Sequence, residues 1–185
     1  MIAPAAAKRI KLVGLDVDGV LTDGGVYLGD VDGKRTELKR YDIQDGVGIL
    51  LLRQCGIKVA IVTGRESHSV RLRAAELNVD AVEQDSNARK LPAMRRVMAK
   101  LEVAPDECAF IGDDLPDLGI LKSVGMGVAV SNATREVREA AHVHLTKAGG
   151  AGAVREFAEW LLAARGEWDG AIAQFLADRA ADAAP

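Results

Sequence analysis

The sequence predicts an α/β fold with a doubly wound parallel sheet, and three observations carry that expectation. Short apolar runs recur along the chain, Gly or Asp bounds them, and helix-like stretches separate them. The 185 residues suffice for one domain with a real core, and 49% hydrophobic with 28% charged residues fits a globular protein.

Taken in order, residues 9–16 (RIKLVGLD) form the first expected strand. Residues 25–42 break the rhythm: two extended segments flank the Asp-Gly of a "DVDG" at 30–33, which reads as a β-hairpin inserted after the first strand. Helix, strand and helix follow at 46–55, 57–64 and 67–77, then a weaker strand at 79–84 and a helix at 88–101. Strands at 108–113 and 125–130 enclose a helix at 115–124, and a further helix spans 134–141. The "HVHL" at 142–145 has metal-like spacing but only two ligands, so it reads as a strand near the sheet edge. Trp160 fits the apolar face of the helix "VREFAEWLLAA". Residues 1–166 make up the expected domain; 167–185 form a tail whose "WDGAIAQFLADRAA" reads as an amphipathic helix docking on a neighbouring copy, with a frayed end.

Several function classes drop out on composition. A formal net charge of −3 gives no electrostatic case for nucleic acid, and no Lys/Arg block suggests an anionic membrane surface. No apolar run approaches the ~20 residues that span a bilayer. Nor does a long apolar segment follow the basic start, so a cytoplasmic protein is expected. Cys55 and Cys108 each adjoin an apolar run and read as reduced core thiols.

Chemistry gathers where strands end. "DVDG" occurs twice, at 16–19 and 30–33. The second copy lies at a turn, where Asp and Gly are favoured for backbone reasons, and it lacks the offsets of a calcium loop. The first follows an apolar strand and sets Asp16 and Asp18 at its carboxyl end, the edge where ligands bind in such sheets. Two close carboxylates repel unless a cation separates them or one is protonated. The next strand ends in Thr63, Gly64 and Arg65: a hydroxyl, a glycine that lets backbone N–H groups approach an anion, and a fixed charge. A later one ends in Asp113, Asp114 and Asp117, more acids than one helix cap needs. Lys90 opens a helix against the macrodipole. These parts suit phosphoryl transfer, and oxygen ligands without His or Cys favour Mg²⁺ over Zn²⁺.

"DVDGVLTDG", "TGR", the Lys before the next strand and "GDDLPD" resemble the four motifs of the haloacid dehalogenase superfamily of phosphatases, in that family's order. The hairpin and "GGAGAVREF" at 149–157 resemble more narrowly its 3-deoxy-D-manno-octulosonate 8-phosphate phosphatases, with nine-carbon 9-phosphate phosphatases close by. The resemblance implies that Asp16 is the nucleophile and Asp18 the proton-transfer group. It implies Mg²⁺ on Asp16, Asp113 and the Asp18 carbonyl, with Asp114 and Asp117 in support. Thr63 and Gly64 would bind phosphate, and Lys90 would bridge Asp16 and phosphate. Arg89 is a rival for that last role, because one extra residue precedes Lys90.

No cap domain fits between these motifs. A site without a lid admits water, and capless relatives are homotetramers in which a neighbour closes it. Substrate contacts are then expected from Asp42, Gln44, Asp45, Gly46, Arg65 and Arg73, although Arg73 also reads as an exposed helix residue. Leu50 and Ala151 stand where that subfamily commonly has Arg. Two other classes compete: a receiver domain, which orders its acids differently, and a non-catalytic subunit that keeps the fold.

Overall fold

The computed structural model describes residues 2–181. Strand β1 (Leu12–Leu15) is buried along its whole length. It lies between β4 (Lys58–Thr63) and β6 (Cys108–Gly112), with Leu15 level with Ile61 on one side and Ile111 on the other. Strands β5 (Ala81–Gln84), β7 (Met126–Ala129) and β8 (Val143–His144) complete a six-stranded parallel sheet, in the order β5-β4-β1-β6-β7-β8. The chain winds outward from β1 to β5, then crosses back to β6. The carboxyl end of β1 is therefore the switch point at which such sheets open a crevice. Because the strands run parallel and in register, their carboxyl ends share one edge.

Helices flank the sheet in two groups. One joins α1 (Pro4–Arg9), α2 (Ile43–Gln54), α7 (Ala153–Arg165) and α8 (Trp168–Ala181); α4 (Lys90–Lys100), α5 (Leu118–Leu121) and α6 (Arg135–Ala140) pack together in the other. Helix α3 (His68–Glu76) touches the hairpin. α2 and α7 approach so closely that a Cβ on Gly48 would lie 2.9 Å from Arg155 Cα.

Strands β2 (Tyr27–Val31) and β3 (Lys34–Leu38) form the expected hairpin. Asp32 and Gly33 both have positive φ, 53° and 74°, as a tight hairpin turn requires, and Asp30 Oδ1 accepts the Gly33 amide at 2.8 Å. The second "DVDG" is thus a turn. The two histidines of "HVHL" serve the backbone separately: His142 Nδ1 accepts the Gly127 amide, and His144 Nε2 lies 2.7 Å from the Arg138 carbonyl. Both cysteines are free, Cys108 buried and Cys55 half-buried. Among the described residues, no helix is long and apolar enough to cross a membrane.

Three expectations need correcting. The first strand is shorter than residues 9–16, because Pro4 opens an Ala-rich helix through Arg9. The helix expected from 88 starts at Lys90, since Ala88 has φ +54°. The helix expected over 115–124 divides into a 3₁₀ turn (Leu115–Asp117) and the four-residue α5. Within its own chain the tail helix packs on α2 and α7, buries Ala171 and sets the Trp168 ring 5.2 Å from the Arg155 guanidinium. It is helical through Ala181, and the rest of the expected frayed end, 182–185, lies outside the described residues.

Candidate active site

Beyond β1 the chain leaves the sheet by a wide irregular turn, Val17–Leu21. Asp18 departs from helical geometry, and Gly19 has φ +93°. Only glycine suits that position on two counts. The backbone is left-handed, and an added Cβ would lie 2.5 Å from Asp113 Cγ. The "GGAG" loop braces the turn from behind. The Gly150 amide donates to the Val20 carbonyl at 3.0 Å, and a Cβ on Gly149 would come within 2.8 Å of the Val20 nitrogen.

Three carboxylates meet here. Asp16 and Asp117 are buried and Asp113 half-buried, and each offers an oxygen within 4.8 Å of the others. Lys90, buried at the start of α4, places Nζ 2.8 Å from both Asp16 Oδ1 and Asp117 Oδ1. Arg89 points into solvent, so Lys90 is the cation at this point. The oxygens of Asp117 are already used: Oδ1 accepts from Lys90, and Oδ2 takes the amides of Asp113 and Asp114 at 3.0 and 3.4 Å. Asp114 caps the 3₁₀ turn, accepting the Leu115 amide. By contrast, Asp113 Oδ1 is buried without a hydrogen-bond partner, and Asp16 Oδ1 faces only the Lys90 ammonium.

Electrostatics follows from this crowding. Burial, then the charge of Asp117, pushes the Asp16 carboxyl well above the ordinary range, against the pull of Lys90. The same two causes push Asp113 up to about 6. Burial acts to lower Lys90, but the charges of Asp16 and Asp117 outweigh it and raise the ammonium above its ordinary value. One lysine among three acids leaves net negative charge in a buried place. An all-oxygen donor set with an unpartnered, buried Asp113 oxygen beside Asp16 fits a hard divalent cation.

The site opens as a cleft of about 230 Å³. Asp16, Asp18, Thr63, Gly64, Arg65, Lys90, Asp113 and Asp114 all line it, with Ala88 and Pro116. Asp117 lies behind it, fully buried. The other expected substrate residues do not line the cleft. Asp42 is the N-cap of α2 and accepts the Gln44 amide at 2.7 Å, so the helix expected from residue 46 begins at Ile43. Gln44 belongs to that first turn and faces Gly152. Asp45 turns inward: Oδ1 accepts the Arg155 amide at 2.9 Å, and burial pushes its carboxyl up to about 6. Gly46 leaves room for Arg73, which is buried rather than exposed; it donates to Glu76 and the Asp42 carbonyl and lies 5.6 Å from the Tyr41 ring centre. Leu50 and Ala151 are exposed outside the cleft.

Sequence reasoning missed two residues of the hairpin's second strand and its exit. The Lys39 side chain has no solvent exposure and pairs with Asp18 and, at 3.5 Å, with Glu37. Glu37 also accepts from Arg65 at 2.9 Å. Burial acts to raise the Glu37 carboxyl, but Ser67, Arg65 and Lys39 together hold it below its ordinary value. The available signal was the two-residue spacing of Glu37 and Lys39, which puts both on one face of an extended segment.

Comparison with known proteins agrees with this geometry. A haloacid dehalogenase-like hydrolase family model matches residues 84–157. The chain is 41% identical, over 92% of its length and 88% of the relative's, to 3-deoxy-D-manno-octulosonate 8-phosphate phosphatase KdsC of Escherichia coli K12. The 3-deoxy-D-manno-octulosonate 8-phosphate phosphatase from Moraxella catarrhalis, solved in complex with magnesium, phosphate and KDO, superposes with a TM-score of 0.87 at 41% identity, covering 93% of this chain and 97% of that one. A cobalt-bound Haemophilus influenzae phosphatase aligns at 0.82 and 35% identity, covering 88% and 93%.

Proposed function

The chain belongs to the 3-deoxy-D-manno-octulosonate 8-phosphate phosphatases of the haloacid dehalogenase-like hydrolases, and on that premise we propose that it hydrolyses this eight-carbon keto-acid phosphate to the free sugar and inorganic phosphate. It is a magnesium-dependent phosphoric monoester hydrolase. One observation carries the chemistry: a buried group of carboxylates, bridged by a single lysine, opens into the cleft that Thr63 and Gly64 also line.

The residues divide the work as follows. An Asp16 oxygen attacks phosphorus, and the bond from phosphorus to the sugar oxygen breaks, leaving an aspartyl-phosphate. Asp18 donates a proton to the departing alkoxide, then takes one from the water that attacks phosphorus and frees Asp16. Lys90 offsets charge between Asp16 and the phosphoryl oxygens; Thr63 and the Gly64 amide orient those oxygens. Asp117 fixes Lys90 and the Asp113–Asp114 backbone. Mg²⁺ would be held by Asp16, Asp113 and the Asp18 carbonyl, and would supply charge neutralisation at the phosphoryl group.

Arg65 is the one expected substrate-binding cation at the cleft, and a guanidinium suits the sugar's carboxylate. We place Asp42, Gln44, Asp45, Gly46 and Arg73 in support of α2 and its packing. Assembly as a homotetramer through the hairpin follows from the same reading: Tyr27, Leu28, Val31 and Leu38 are each between 58 and 62% exposed, an apolar surface that copies of the hairpin would bury. Light scattering should find four copies per particle. Phosphate release from the eight-carbon substrate, abolished by EDTA and restored by Mg²⁺, tests the activity. Faster release from a nine-carbon 9-phosphate would move the substrate assignment, and no release from either would refute the function.

A further inference from the structure

We propose that Lys39 is the positioning residue for Asp18, so that the hairpin supplies a working part of its own chain's active site. The inference rests on the proton-transfer reading of Asp18.

The irregular turn alone does not orient Asp18, which lies outside any regular strand or helix hydrogen-bond ladder. Its carboxylate is instead held from the hairpin side. Lys39 pairs with Oδ1, and Arg65 Nε lies 3.7 Å from Oδ2. Glu37 ties the two cations together, 3.5 Å from Lys39 and 2.9 Å from Arg65. An ammonium with no solvent exposure is retained only where its charge is matched, and here the match is the Asp18–Glu37 pair. Lys39 stands 21 residues from Asp18, so the contact exists only when the hairpin is folded back over the cleft. The Thr22–Tyr41 bridge closes the hairpin's base and fixes that return. Lys39 is absent from the cleft lining, whereas Asp18 and Arg65 are on it. Lys39 therefore acts through Asp18 and not on the substrate.

A double-mutant cycle tests this. Against the eight-carbon phosphate, Lys39→Met should lower kcat by about 10- to 100-fold, a part of the ~10²–10⁴-fold of a general acid–base group, with little change in KM. Added to Asp18→Asn, the same substitution should cost less than about twofold, because its target is gone. Lys39→Arg keeps the charge and should recover most of kcat. With p-nitrophenyl phosphate, whose leaving group needs no proton, Lys39→Met should still release about one nitrophenolate per site in a burst and then turn over slowly, since the water step still needs Asp18. Should Lys39→Met fail to fold, Lys39→Gln replaces it in the same cycle. Equal losses in both backgrounds, a missing burst, or an unchanged kcat would overturn the proposal. Full turnover by Asp18→Asn alone would instead overturn the role of Asp18 itself.

Discussion

Replacing Gly19 by Ala should damage catalysis far more than stability. The left-handed backbone of Gly19, φ +93°, costs an L-residue about 1–2 kcal/mol. For a protein of this size that is about 2–4 °C of Tm per kcal/mol, hence a fall of roughly 2–8 °C. The steric part falls on Asp113. The new Cβ would sit 2.5 Å from Asp113 Cγ, where ordinary contact begins at 3.4 Å. Because the 149–150 loop braces the turn from behind, the carboxylate has to yield by about 1 Å, a misplacement that costs on the order of 10²-fold in rate. Gly33→Ala is the control: φ is +74° there, but nothing lies within 4 Å. Both variants should lose similar stability by thermal melt. Only Gly19→Ala should lose kcat about 100-fold and need more Mg²⁺ for half-saturation. An unchanged Mg²⁺ dependence with kcat within twofold of wild type would refute the reasoning.

Asp16→Asn should abolish phosphate release, and in EDTA it should melt higher than wild type, because it removes a charge that burial and Asp117 disfavour. Lys90→Met breaks a buried ion pair and should cost about 3–5 kcal/mol in chemical denaturation without metal; saturating Mg²⁺ should narrow that deficit. Asp45 predicts a pH dependence. Its carboxyl titrates at 3.8 when unperturbed and at about 6 when folded, so between those values the native state holds a proton the unfolded chain has lost. The stability it contributes is fully present below pH 3.8 and is lost as pH rises through 6, a change of at most about 3 kcal/mol. Asp45→Asn should flatten that part of the stability profile, read by denaturant melts from pH 4 to 8; an unaltered slope would count against the buried acid.

The strands and their acidic ends were legible because the signals are local. A run such as "KLVGLD" carries its burial and its terminal Asp within a few residues, and parallel register then sends Asp16, Thr63 and Asp113 to one edge. The helix starts were less legible. Nothing near Ala88 announces its positive φ, and the helix expected from residue 46 begins at Ile43, where Asp42 caps it.

The sequence by itself determined the fold class, the hairpin turn at Asp32-Gly33 and the order in which the acids and Lys90 follow one another, since each depends on apolar spacing, backbone preference or chain order. Tertiary structure alone decided which polar groups spend their charge on one another. Asp117 is consumed by Lys90 and two amides, Asp45 by the start of α7, and Arg73 by Glu76 and the Asp42 carbonyl. It also turned the tail helix onto its own α2 and α7 and brought Lys39 across 21 residues to Asp18. Such pairings depend on where folding brings distant segments and on how little water remains between them, and neither quantity is written in the spacing of residues along the chain.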